Sequence, residues 1–391
     1  MSDRDYDIVL FGASGFVGKL TAEYLLGKPK RWAIAGRNRD KLAALGMSAP
    51  IEVVDALDRA ACDRIARRAK VVCTTVGPYA KYGSALVAAC AEAGTHYCDL
   101  TGEVPWMRAM IDAHHARAGQ TGARIVHTCG FDSIPSDLGT WATQQEFIHR
   151  FGHPATRVTA LFQMTGGVSG GTAASAFEIA EAMKDPAVRR LLRDPHALDP
   201  DRGAHAHAVR QSPLGWNGDL KMFTAPFVMA DTNSPVVRRG HALAGYPWGR
   251  DFEYREMTGL RGNVRGLATA IATTAVLGGL QAALKRPRLR AWLRTKAPQP
   301  GEGPSAERRA RGHWNVRFVA EHGDDRLVYI AADPAGDPGY QSTAKMLGES
   351  AMCLAYDDLK SPGGVLTPSF AMDGALVERL RAAGLTFAPA A

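Results

Sequence analysis

The segment DIVLFGASGFVGKLTAEYLL, residues 7–26, places an apolar run, three glycines and an amphipathic pattern in immediate succession. Gly12, Gly15 and Gly18 stand three residues apart, which predicts a sharp turn from a strand into a helix. The first backbone amides of such a helix have no partner within it, so they can bind a phosphate group. Glycines favour any tight turn, but the strand before them and the helix after them indicate a dinucleotide-binding turn.

Over the first 140 residues, short apolar runs alternate with helix-length segments, the pattern of a doubly wound sheet. Runs such as KVVCTTV and ARIVHTC are apolar throughout, as parallel strands covered on both faces are. The predicted strands are 7–12, 31–36, 51–54, 70–76, 95–99 and 123–129. From about residue 155 the chain has β-like runs broken by helical or loop segments. We therefore predict the α/β class, with a Rossmann-type doubly wound parallel sheet and a second mixed α/β domain.

Composition narrows the classes of partner. The net charge of +8 favours anionic partners such as phosphates, coenzyme A or lipid head groups, and we expect no nucleic acid among them. The six cysteines include no C-x-x-C pair, and no histidine pair stands near a third ligand at zinc spacing, so we predict no metal site. The polar, acidic start MSDRDYD has no signal-peptide pattern, which predicts a cytoplasmic protein.

The end of the second predicted strand, WAIAGRNRDKL, indicates which nucleotide binds. An unphosphorylated ribose is normally held by an Asp or Glu at this point, where this chain has Gly36 and Arg37. An arginine can pair with a 2′-phosphate through two hydrogen bonds, and Arg39 and Lys41 follow closely. The alternative is that these are solvated charges at the start of a helix. We predict NADPH as the cofactor.

Three loops should meet at the carboxyl edge of the sheet, beside the nicotinamide. The first, TTVGPYAKYG, supplies Tyr79 and Tyr82, either of which could donate a proton or simply pack. The others contain Asp99, Thr101 and Glu103, and then Asp132, Ser133 and Asp137. We expect Asp132 to face a ligand, whereas Ser133 could do so or cap the following helix. The predicted cofactor contacts of the first loop are Thr75, Val76, Gly77, Pro78 and Tyr79.

Two later segments stand out. Residues 267–284, LATAIATTAVLGGLQAAL, carry no charge and are followed by the basic stretch KRPRLR. A buried core helix, an acyl-binding channel and a helix at a membrane surface all fit this pattern, and a true membrane span fits it least. Residues 296–312 are rich in Pro and Gly and then charged, which predicts an exposed loop or lid.

Several motifs together resemble a known family: GASGFVGKLTAEYL, IAGRNRDKL, TTVGPYAKYGSALVAACAEAGTHYCDLTGE, CGFDSIPSDLG, GGVSGGTAAS, APFVMA, PGEGPSAERRARG and GGVLTPSFAM. The chain resembles the saccharopine dehydrogenase-like oxidoreductases, and among them the trans-acting enoyl reductases of mycobacterial lipid synthesis. The resemblance implies an NADP-binding Rossmann domain at 1–140, a substrate domain at 141–340, and a C-terminal segment at 341–391 that returns to the first domain. The cofactor positions that it implies are Gly12, Ser14, Gly15, Phe16, Val17, Arg37, Gly77, Pro78 and Tyr79.

The substrate is the less determined part. A saccharopine-like enzyme must bind several carboxylates, yet the arginines of the second domain show no diagnostic cluster: Arg157, Arg210, Arg238, Arg239 and Arg261. An enoyl reductase needs an apolar slot, which 267–284 and KMFTAPFVMA could supply. We therefore predict NADPH-dependent reduction of a lipid-like or polyketide acyl thioester, with Tyr79 and Asp132 as the catalytic candidates.

Alternatives stay open at this point. The protein could reduce an imine or secondary amine, as a saccharopine dehydrogenase does, or it could bind NADP and lipid without catalysis. A carrier-bound substrate, a homodimer and peripheral contact with the inner membrane face are also left open.

Overall fold

The apolar run before the glycine turn forms β1, which lies near the centre of an all-parallel sheet in the computed structural model. The structure describes residues 4–165, 170–201, 214–296, 305, 307 and 311–390. Within these residues the sheet has seven strands in the order β13-β6-β5-β4-β1-β2-β3. Their bounds are β1 Tyr6–Phe11, β2 Trp32–Gly36, β3 Ile51–Val53, β4 Ala69–Thr74, β5 His96–Cys98, β6 Arg124–Val126 and β13 Gly364–Leu366. The first six overlap the predicted strands.

Helices cover both faces of this sheet, which explains why its central strands are apolar throughout. Val71, Val72 and Cys73 of β4 have no exposed surface. The helices in this part of the chain are α1 Phe16–Leu25, α2 Arg39–Ala43, α3 Arg59–Arg68, α4 Tyr79–Tyr82, α5 Ser84–Ala93, α6 Val104–Thr121 and α7 Ile134–Phe151, of which α7 packs on the second sheet. The predicted Rossmann-type arrangement is confirmed.

A second sheet mixes parallel and antiparallel pairs. In the described residues it also has seven strands, in the order β14-β12-β11-β7-β10-β9-β8, and its parallel pair is β7 with β10. The bounds are β7 Arg157–Thr165, β8 Gly215–Asn217, β9 Met222–Pro226, β10 Glu253–Arg261, β11 His313–His322, β12 Asp325–Asp333 and β14 Thr386–Pro389. The predicted second, mixed domain is thus present.

The remaining helices connect or flank the two sheets. They are α8 Gly170–Ala182, α9 Pro186–Arg193, α10 Ala230–Leu243, α11 Val264–Leu284, α12 Pro287–Lys296, α13 Gln341–Tyr356 and α14 Pro368–Ala382. The helix α7 begins after β6 of the first sheet and packs on the second. A Cβ atom at Gly139 would lie 2.4 Å from the Phe318 ring of β11, so this glycine lets the helix and the sheet approach closely.

The C-terminal segment is shared between the sheets. Its strand β13 pairs with β6 of the first sheet, and α13 packs against α1 and β4. Its last strand, β14, pairs instead with β12 of the second sheet. The predicted boundary at residue 140 falls inside α7.

Of the two later segments that the sequence analysis singled out, the structure describes the first in full and the second only in part. The apolar run 267–284 lies in α11, and of this helix only Gly266 and Ala270 are buried among the described residues. Burial in the core, one of the three explanations that the sequence left open, is therefore wrong for this part of the chain. Most of the predicted loop 296–312 lies outside the described residues, as do residues 166–169 of the GGVSGGTAAS motif and Arg210.

Candidate functional site

The glycine turn after β1 is built by close backbone contacts. Gly12 has a φ of +93°, a conformation that side chains disfavour, and a Cβ atom there would lie 2.7 Å from Val76 Cγ2. A Cβ atom at Gly18 would lie 2.0 Å from the carbonyl oxygen of Gly12. The hydroxyl of Thr75 donates to that same oxygen at 3.2 Å. Glycine is thus required at both positions. Thr75 and Val76 pack against the turn, and the Thr75 hydrogen bond stabilises it.

The start of α1 is open to a ligand. Ser14 and Gly15 are exposed, and among the described residues no side chain caps the helix at Gly15. Phe16 and Val17 are partly buried, and the Phe16 ring meets the Tyr340 ring edge-on with centroids 5.0 Å apart. An uncapped helix N-terminus beside a glycine turn fits the pyrophosphate of a dinucleotide.

The end of β2 carries exposed positive charge. Arg37 and Arg39 are exposed, and in the part of the chain that the structure describes neither forms an ion pair. Between them, the Asn38 side chain accepts a hydrogen bond from the backbone amide of Lys41 at 2.9 Å and caps α2. The guanidinium groups therefore remain available to a ribose 2′-phosphate.

Tyr79 is buried, and its hydroxyl is bonded within the protein. Its side chain is only 5 % exposed, its hydroxyl donates to the carbonyl oxygen of Thr74 at 3.3 Å, and it accepts from the amide of Leu100 at 3.1 Å. Burial, together with the nearby charge of Asp99, raises the pKa of Tyr79 well above its ordinary value. The phenol links the loops after β4 and β5, and the catalytic role of Tyr79 stays a prediction. Its neighbours Thr75, Val76 and Pro78 are partly exposed, and Gly77 is exposed.

Asp99, Thr101 and Glu103 also turn inward, where a ligand-facing edge was expected; none is more than 2 % exposed. Asp99 accepts hydrogen bonds from the Tyr97 hydroxyl at 2.9 Å and from the Thr128 amide at 3.1 Å, and the His127 ring lies 2.7 Å away.

The Glu103 carboxylate has a similar internal role. It accepts the backbone amides of Tyr79 and Ala80, at 2.9 and 2.8 Å, and the hydroxyl of Ser175 at 2.8 Å. It therefore caps α4 and fastens α8 to this edge of the sheet. These acids fix the loops in place.

Asp132 differs from the other acids at this edge. It follows β6, keeps partial exposure, and is bonded by no other side chain in the described ranges. Burial of the carboxyl raises its pKa to about 7, and the charge of Asp99 adds to the effect. A carboxyl with this pKa is about half protonated at neutral pH and can donate its proton, which suits a general acid.

The chain can now be compared with known proteins. Residues 8–126 match the family model described as the saccharopine dehydrogenase NADP binding domain. A Mycobacterium ulcerans protein named trans-acting enoyl reductase is 38 % identical over 422 residues, covering 98 % of this chain and 97 % of the relative. A Mycobacterium tuberculosis protein, provisionally given the same name, is 43 % identical over 408 residues with the same coverage of each chain.

The chain belongs to the trans-acting enoyl reductase family. It is an NADP-dependent oxidoreductase, and the predicted cofactor, NADPH, is confirmed. Apo saccharopine dehydrogenase from Saccharomyces cerevisiae superposes with a TM-score of 0.55 at 14 % identity, covering 98 % of this chain and 99 % of the other, which shows that the two share a fold.

In this trans-acting enoyl reductase family member, sequence reasoning missed a buried polar network behind Asp132. The Ser133 hydroxyl donates to Asn233 at 2.9 Å, and Asn233 donates to Glu256 at 2.8 Å. Glu256 also accepts the hydroxyls of Ser136 and Tyr254, at 2.9 and 2.7 Å. Ser133 therefore neither caps α7 through its side chain nor faces a ligand. Its partners come from α10 and β10, about 100 residues further along, so no local pattern could reveal them.

Asp137, one turn into α7, is likewise engaged. Its carboxylate accepts the amide and the hydroxyl of Ser369, each at 2.7 Å. Burial raises the pKa of this carboxyl to about 7, as it does for Glu256. Asp132 and Asp137 thus have similar acidity, but only Asp132 lacks a side-chain partner in the described residues.

Proposed function

We propose that this protein reduces the carbon–carbon double bond of an α,β-unsaturated acyl or polyketide thioester with NADPH, and that Asp132 supplies the proton. The names of the relatives support the reaction type. The observation that carries the residue assignment is the position of Asp132, a partly exposed residue at the carboxyl edge of the Rossmann sheet whose carboxyl has a pKa of about 7.

Bound NADPH supplies a hydride to the β-carbon of the thioester. The Asp132 carboxyl delivers its proton to the α-carbon, so the double bond becomes a single bond, and solvent reprotonates the carboxylate. The glycine turn and Arg37 hold the nucleotide, while Tyr79 and Glu103 keep the loops beside it in a fixed arrangement.

The surroundings of Asp132 suit an apolar substrate. A Cβ atom at Gly130 would lie 2.5 Å from Leu100 Cδ2 and 2.9 Å from Asp132 Oδ2, so leucine and acid are immediate neighbours. Phe131 packs edge-on against Phe162 and Trp314 of the second sheet, with ring centroids 6.2 and 5.2 Å apart. The acid therefore stands where aromatic side chains join the two sheets.

The arginines of the second domain argue for a substrate with few carboxylates. Arg238 and Arg239 are buried and donate to backbone carbonyl oxygens, and Arg157 pairs with Glu253 at 2.9 Å. All three are already engaged by groups of the protein itself, Arg238 and Arg239 in the interior and Arg157 at the surface. An acyl thioester, which needs no such cations, fits this arrangement better than a substrate like saccharopine.

The test compares Asp132→Asn with Asp137→Asn. NADPH oxidation is followed with a trans-2-enoyl thioester, and NADPH affinity is measured by nicotinamide fluorescence. We expect Asp132→Asn to lower turnover about 100- to 10 000-fold while NADPH affinity is retained. Asp137→Asn is the matched control, because it removes a buried acid of the same acidity from the same helix region without touching the site.

The pH profile gives a second readout. Since the acid must be protonated, wild-type turnover should fall as the pH rises through about 7, and Asp132→Asn should lack this limb. Equal losses in both variants, or an unchanged limb, would remove Asp132 from the mechanism. Tight NADPH binding without oxidation by any enoyl thioester, but with oxidation by a cyclic imine, would replace the proposed substrate class.

A further inference from the structure

The helix α11 is apolar, and the described residues cover little of it. It carries no charged residue from Gly266 to Leu284, and its most apolar window has a mean hydropathy of 1.6. Only 6 % of that window is buried within the described residues. A helix that is apolar on every side is normally enclosed by protein or lipid.

Exposed apolar side chains concentrate here. Of the fourteen large hydrophobic side chains exposed in the described ranges, seven fall in residues 264–296, which form α11 and α12. They are Val264, Leu267, Ile271, Val276, Leu280, Leu289 and Trp292. Val276 is 67 % exposed and Trp292 is 58 % exposed. Contiguous patches of this kind mark surfaces that bind a partner.

The charge of the same segment indicates which partner. Residues 264–296 contain seven Lys or Arg and no Asp or Glu, and six of the seven follow α11 at 285–296. Arg290 and Arg294 of α12 pair with Glu181 and Glu178 of α8, at 2.5 and 3.5 Å. The other five form no ion pair within the described residues: Arg265, Lys285, Arg286, Arg288 and Lys296.

Both ends of α11 are held by the same body of protein. At its start, a Cβ atom at Gly266 would lie 1.8 Å from the carbonyl oxygen of Arg261 in β10, so the first turn rests on the second sheet. At its end, Arg290 of the following helix donates to the carbonyl oxygen of Ala180 in α8 at 3.4 Å. The helix has the length to span a bilayer, but these attachments keep its two ends on one side.

We propose that α11 and α12 form a docking surface for anionic lipid, with α11 in the boundary between head groups and acyl chains. Arg286, Arg288 and their neighbours would meet the lipid phosphates, and Trp292 would lie at head-group level. A second copy of this chain would bring its own five cations, those without an ion pair in the described ranges, against these five, so charge favours the bilayer over self-association.

Flotation with vesicles tests this surface. Wild type should float with vesicles containing phosphatidylglycerol and stay behind with pure phosphatidylcholine. We expect Arg286→Glu/Arg288→Glu to weaken partitioning at least about tenfold. Arg64→Glu/Arg67→Glu, two exposed arginines of α3, is the matched control for net charge and should float like wild type. NADPH binding confirms folding of each variant.

The apolar part has its own pair of variants. Ile271→Ser/Val276→Ser should lose flotation, whereas Leu26→Ser/Leu57→Ser, equally exposed elsewhere, should keep it. The proposal is overturned if wild type does not float, or if it floats equally well without anionic lipid. It is also overturned if Arg64→Glu/Arg67→Glu loses as much flotation as Arg286→Glu/Arg288→Glu. Sedimentation that shows a dimer broken by Ile271→Ser/Val276→Ser would instead assign the surface to a second copy of the chain.

Discussion

The loops after β1 and β2 and the loops after β4, β5 and β6 lie along one edge of one sheet, yet they are built in opposite ways. The first group presents an uncapped helix start and exposed arginines. In the second group the acids Asp99 and Glu103 turn inward, whereas Asp132 keeps partial exposure. Position at the carboxyl edge is therefore enough to predict a site made of backbone amides, but it does not tell whether a polar side chain faces ligand or protein.

The largest expected effect lies in the first group. Gly18→Ala should weaken NADPH binding more than about 100-fold, because the new methyl group would overlap the backbone oxygen of Gly12 and displace the turn. Gly119→Ala, where the nearest atom is an ordinary 3.7 Å away, is the control. Nucleotide titration decides the matter, and normal binding by Gly18→Ala would mean that the phosphate lies elsewhere.

Arg37→Ala tests the loop after β2, which belongs to the same group. A lost charge-assisted hydrogen bond costs about 1.5–3 kcal/mol, so NADPH affinity should fall roughly 10- to 150-fold while NADH affinity stays the same. The measurement is fluorescence titration with both nucleotides, with Arg64→Ala as the control. A parallel loss of NADH binding would show that Arg37 contacts something other than the 2′-phosphate.

Tyr79→Phe addresses the second group. The Leu100 amide would lose its partner, so the free energy of unfolding should fall by about 1–3 kcal/mol. Turnover should persist, because both hydrogen bonds of the phenol hydroxyl are to backbone groups of the protein, at Thr74 and Leu100. Tyr82→Phe is the control at a partly exposed phenol and should change neither quantity. A large loss of turnover in Tyr79→Phe without loss of stability would support the predicted catalytic role.

The smallest effect concerns pH. Folding raises the pKa of Asp137 from 3.8 to about 7, so the folded state binds the proton more tightly than the unfolded state. Stability from this group is full below about pH 4 and is lost as the pH rises to about 7, at roughly 1.4 kcal/mol per pH unit. Asp132 and Glu256, whose pKa values also rise to about 7, add to this slope. Chemical unfolding at pH 5.5 and 7 should therefore show a larger total slope, and Asp137→Asn should reduce it by the share of one group. An identical slope in the variant would assign it to Asp132 or Glu256.

The sequence predicted the features that depend on neighbouring residues. The strand alternation, the glycine turn and the Arg37 position each lie within a short stretch, and the structure has all three. The hydrogen bond between Tyr79 and Leu100 could not be predicted from the sequence, because its partners come from separate segments. The same is true of the chain of hydrogen bonds from Ser133 through Asn233 to Glu256. The exposure of α11 was hidden for a different reason: an apolar run looks the same whether protein or lipid covers it.

The placement of β13 and β14 has a consequence for how the chain can be divided. The first sheet is finished by Gly364–Leu366, and the second is finished by Thr386–Pro389. A fragment ending at residue 140 would leave the buried strand β6 as a bare edge, and such edges recruit other chains. Both sheets stay incomplete until the last thirty or so residues have been synthesised. The C-terminal segment therefore completes both sheets, and removing even one of its two strands should make the protein prone to aggregation during expression.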